Sequence, residues 1–134
     1  MPADLDLLLT LEPHGTFHDA ELLSVAIDRA ARQLVAEFSI CVGDPSAADV
    51  SARERRRRGH LEIRGLLVWS APAAQGSWLT SYGPLREAPT EEGKALASSL
   101  PAGCSSWWLY FADANDFAYC GCEQYSWAWG PDES

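Results

Sequence analysis

No stretch of this sequence approaches the ~18–20 consecutive apolar residues that a membrane-spanning helix needs, so no membrane association is expected. The opening MPADLDLLLTLEP carries Asp4 and Asp6 and has no basic residue ahead of its short apolar run, unlike a secretory signal. Four cysteines without such a signal point to reduced thiols in a cytoplasmic protein. Other absences narrow the chemistry. There is no G-x-S-x-G nucleophile elbow and no C-x-x-C redox pair, and Gly93-Lys94 lacks the upstream glycine of a phosphate-binding loop. There is also no internal repeat and no low-complexity tract. No cofactor is expected, and no catalytic constellation presents itself.

What is present describes an ordinary globular chain with two unusual features. Its 134 residues match the size of one domain, expected to span 1–134, and fold with roughly two-thirds of the chain's surface buried. Six Trp beside four Tyr and four Phe favour strands and large buried or binding surfaces. Nineteen acidic residues against ten basic ones give a formal charge of −9. Arg53, Arg55, Arg56, Arg57 and Arg58 supply half of the positive charge within six positions, so the remainder is more acidic still. Such a chain repels nucleic acid and anionic membranes and suits a basic protein partner. Self-association into a homo-oligomer stays open.

Periodicity assigns the elements. Leu5, Leu8 and Leu9 share one face of a short helix over 4–11, with a strand as the alternative. Leu23, Val25 and Ile27 alternate with polar or small residues, as do Leu34, Ala36, Phe38, Ile40 and Val42, which predicts a hairpin of strands at 21–28 and 33–42. Residues 43–59 read as a long loop and 60–70 as a third strand, with Gly65 marking a bulge. A short strand is possible at SWLTSY within a Pro/Gly/Ser-rich stretch, and Thr90 caps one or two helical turns in TEEGKALASSL. Strands at 105–112 and 117–128 flank the turn-prone DAND. Phe117, Tyr119, Tyr125, Trp127 and Trp129 fall on one face of the last strand unless a bulge, for which Gly121 is the candidate, resets the register. The fold class is mainly β (α+β with minor helix), an antiparallel sheet, curled or sandwiched, of about five or six strands.

Four features are candidates for function. His14, His18 and Asp19 form a polar cluster that acid–base or metal chemistry could use, although the stronger reading has Asp19 and His18 as backbone hydrogen-bond partners at the start of a strand. Cys120 and Cys122 project from one face of a strand, in no zinc-ligand spacing, and read as buried free thiols. The Arg53–Arg58 run reads as a solvated or internally paired loop more than a phosphate contact. Trp127 and Trp129 beside Asp132 and Glu133 read either as core or as an aromatic anchor with an acidic rim for a basic partner.

FHDAELLSVAID, a second strand, and RRRRGHLEIRGLLV together resemble a set of small bacterial proteins. These carry an F-H-D-[AS] opening, an L-x-x-I-x-I-D strand and a hairpin return. Some are grouped with the immunity proteins of polymorphic toxin systems. The resemblance covers residues 16–70 and implies a β-rich fold and a protein-binding role, with no catalytic residues. The expectation is therefore an acidic protein-binding module, such as an immunity-type inhibitor. The alternative is a small metal-dependent enzyme or hydrolase using His14, His18 and Asp19.

Overall fold

Alternation of apolar and polar residues produces six strands, and the computed structural model, which describes residues 5–70 and 77–131, closes them into one barrel. In chain order these are β1 (Thr16–Asp28), β2 (Gln33–Cys41), the one-turn helix α1 (Val50–Arg53), β3 (Arg56–Ser70), β4 (Trp78–Pro84), α2 (Glu91–Ser99), β5 (Ser105–Phe111) and β6 (Asp116–Trp129). Around the barrel the order is β1-β2-β3-β6-β5-β4, with every neighbouring pair antiparallel. Two three-stranded meanders thus meet along β3–β6 and along β4–β1. The second seam pairs only Ala20 with Leu79 and Glu21 with Trp78. Closure removes the exposed edges that an open sheet must protect.

Side chains fill the interior. In β2, Leu34, Ala36, Phe38 and Ile40 all point inward and are buried, while the residues between them face out. They meet Phe17, Ile63, Leu79 and Phe111 in the barrel centre. A second, smaller cluster lies outside the barrel, where Leu85, Ala88 and Tyr119 pack with Leu96, Leu100 and Trp108 beneath α2. Thr90 caps α2: its hydroxyl accepts from the Gly93 amide at 3.1 Å and bonds the Tyr119 hydroxyl at 2.6 Å.

Several sequence expectations are corrected. The N-terminal helix over 4–11 is a single 3-10 turn, Leu5–Leu8. It is followed by further tight turns, because Leu5 and Leu9 must drop into the barrel mouth while the chain bends to reach β1. β1 begins at Thr16, five residues before the expected 21. The loop expected over 43–59 ends earlier, since β3 starts at Arg56 and α1 occupies Val50–Arg53. The ladder decides this: Ile40 and Cys41 of β2 need backbone partners, and Arg57 and Arg56 supply them. The arginine run is therefore the first part of a strand.

In β6 the inward face changes parity. Ala118, Cys120 and Cys122 point into the core, Glu123 and Gln124 are both exposed, and Tyr125, Trp127 and Trp129 then turn inward. Phe117 and Tyr119 belong to the outer cluster instead. The reset sits beside Gly65, whose φ of 63° bends the paired strand β3 and leaves room for Glu123 alone. Gly121 keeps its register with Ser106 on β5, while on its other side the register with β3 slips between Leu66 and Val68, opposite Cys122 and Gly121; the missing side chain gives Leu100 space to pack on the strand. The single aromatic face is thus two half-faces on opposite sides of the sheet.

Candidate functional site

The F-H-D-A segment is a bulge in β1. Thr16 pairs with Cys41 and Glu21 with Ser39, so the residues between them outnumber those they face. Phe17 and Ala20 are fully buried, and His18 and Asp19 are pushed outward. Asp19 has φ of 65°, a left-handed conformation that Asp tolerates better than most residues. Its carboxylate lies 3.2 Å from His18 Nδ1, with both side chains largely exposed. Arg56, on the outward face of β3, reaches across the bulge. It donates to Asp19 O at 2.9 Å, to Ser39 Oγ at 2.9 Å and to Ser39 O at 2.7 Å. The same guanidinium stacks 5.2 Å from the ring centroid of Trp78, which is 40% exposed. Trp78 is fixed by its pairing with Glu21 and by its amide donating to Asp113 Oδ1 at 2.9 Å. The result is a surface cluster of His18, Asp19, Arg56 and Trp78, flanked by Glu21 and Asp113.

His14 does not join it. Its Nε2 stands 3.9 Å from Asp44 Oδ2 on the loop after β2. Hydrogen bonds from the Ser46 hydroxyl and amide, with a smaller contribution from His14, hold the Asp44 carboxyl below its ordinary range. Among the described residues, no three His, Cys, Asp or Glu side chains are grouped to hold a metal ion. His14, His18 and Asp19 therefore do not form the metal site that the enzyme alternative calls on.

The other arginines seal the barrel mouth. Arg55, just ahead of β3, and Arg57, within it, grip the buried Glu12 carboxylate at 2.7 and 2.9 Å. Arg57 also donates to Gly130 O and stacks 5.0 Å from the Trp129 ring. Trp127 sits edge-on between Phe17, at 5.3 Å, and Trp129, at 5.2 Å. Both tryptophans are half-buried and pack on the central core, and their indole Nε1 atoms are enclosed. The structure thus uses them as packing at the barrel end. Asp132 and Glu133, the expected acidic rim, lie outside the described residues.

Cys120 and Cys122 are free and buried inside the barrel, as expected of structural thiols. Their mutual hydrogen bond and burial push the Cys120 thiol well above its ordinary range, which leaves it a poor nucleophile. Clefts open on the surface among the described residues. One of about 330 Å³ lies on the outer face of β3 and β6 between Glu62, Arg64 and Gln124. Another, of about 520 Å³, lies between the end of α2 and the start of β5. No family model, curated protein or solved structure matches the chain.

Sequence reasoning did not single out Trp78, and it named Arg56 only within the Arg53–Arg58 run. The signal for Trp78 was weak, one aromatic in a Pro/Gly/Ser-rich stretch. Its exposure follows from closure of β4 onto β1, which no local pattern announces.

Proposed function

We propose that this protein is an acidic binding module for a basic protein partner, acting as an immunity-type inhibitor does, and that the surface around Trp78 and Asp19 is its docking face. One observation carries the reading. Two of the ten basic side chains, Arg55 and Arg57, are turned toward the buried Glu12 carboxylate, and Arg57 also donates to Gly130 O. Among the described residues Glu12 is the one acidic side chain that is buried. The fold therefore turns positive charge inward and leaves the outer surface more acidic than the formal −9 implies. Acidic rims accelerate encounter with a basic partner, and a rigid exposed Trp supplies affinity. Trp78 meets that description better than Trp127 and Trp129, whose rings are already committed to packing.

The test is binding to the protein encoded beside this one, measured at low and high salt. The expected result is a complex that weakens as salt rises and dissociates faster in Trp78→Ala. A partner-free mixture, or a complex indifferent to both salt and Trp78, overturns the proposal.

A further inference from the structure

The Trp78 surface draws on four strands, and its β1–β4 seam supplies only two residue pairs. Asp19 lies inside the β1 bulge, between the ladder pairs that Thr16 and Glu21 make with β2, and its φ is 65°. A bulge leaves backbone groups out of the ladder for side chains to satisfy. Trp78 is 40% exposed, and an exposed side chain ordinarily exchanges rotamers freely. Arg56 joins the two. Its Nε donates to Ser39 Oγ at 2.9 Å, and its Nη2 donates to Ser39 O at 2.7 Å and to Asp19 O at 2.9 Å. Three hydrogen bonds from one planar group fix the orientation of that plane. The Trp78 ring then packs against it, 5.2 Å from guanidinium carbon to ring centroid.

We infer that Arg56 is the positioning residue of this surface: through one guanidinium on β3 it holds the Trp78 ring and the Asp19 bulge in the arrangement a partner meets. The inference rests on the reading of the Trp78 surface as the docking face. Charge does not account for Arg56 there, because a cation on that face slows encounter with a basic partner. Geometry does. Ordering a mobile side chain on binding costs affinity, and a ring already ordered avoids that cost. A lysine would keep the charge but lacks the rigid fork that reaches Ser39 and Asp19 together.

The experiment uses the full chain and Arg56→Lys, which separates geometry from charge. In the free protein, the indole N–H of Trp78, assigned through Trp78→Phe, should show an ordered ring in the wild type and a mobile one in Arg56→Lys. Ser39→Ala, which removes the hydroxyl that Nε holds, should loosen the ring in the same direction while Arg56 stays. With the protein encoded beside this one, Arg56→Lys should leave association unchanged and speed dissociation about fivefold. Combined with Trp78→Ala it should add nothing further, since Arg56 acts through that ring. A urea midpoint for each variant shows that the fold persists. An indole as ordered in Arg56→Lys as in the wild type overturns the inference, as does a loss that adds in full to that of Trp78→Ala. A neighbouring protein that does not bind overturns the docking reading alone, because the order of the indole is measured without it.

Discussion

Trp127 stands edge-on to Phe17 with ring centroids 5.3 Å apart, so the last strand of the chain closes over the first residue of the F-H-D-A segment to enter the core. Edge-to-face pairs at this distance add to the stabilisation from burial alone. Gly59 lies against the far edge of the same indole, where any side chain would collide with it. Trp127→Ala should therefore destabilise the protein by about 3 kcal/mol, read as a lower urea midpoint with an unchanged slope. If Trp127 were instead a free anchor, the midpoint would not move.

The Glu12 carboxylate holds Arg55 and Arg57 at the barrel mouth while being only 7% exposed itself. Removing it takes a buried carboxylate away from two partly buried guanidinium groups. Glu12→Ala should cost about 3 kcal/mol of stability. The loss should exceed that from Glu91→Ala, whose carboxylate is almost fully exposed and 4.0 Å from Lys94. Chemical denaturation of the two variants side by side checks the order.

Burial, with a smaller contribution from Cys122, raises the Tyr125 phenol above its usual 10.0. The folded state then holds this proton more tightly than the unfolded chain. Its contribution to stability is complete below about pH 10 and is lost as pH rises through the folded-state value. Tyrosinate absorbance should show a late-titrating component that Tyr125→Phe removes. A titration curve unchanged by Tyr125→Phe would assign the late tyrosine elsewhere.

Much of the architecture was legible in local pattern, because period-two alternation is imposed by the pleat itself. Leu34, Ala36, Phe38 and Ile40 read as one buried face, and they are one. Thr90 read as a cap, since an orphan amide at a helix start asks for a side-chain oxygen two or three residues upstream. The F-H-D-A opening stood out as a motif, yet its form as a bulge depends on what β2 places opposite it.

Sequence by itself determined the mainly antiparallel β character, the strand positions to within a few residues, and the excess of negative charge. Tertiary structure alone decided which charges reach solvent and which aromatics stay on it. Arg55 and Arg57 are 43 and 45 residues from Glu12, and Trp78 is pinned by Asp113, 35 residues away. The face shown by β6 likewise changes at Glu123 and Gln124 because Gly65, on a different strand, bends there. Alternation reports only which residues share a side of one strand. Which side is buried, and where it switches, is set by barrel closure, in which each strand's exposure depends on neighbours distant in the chain.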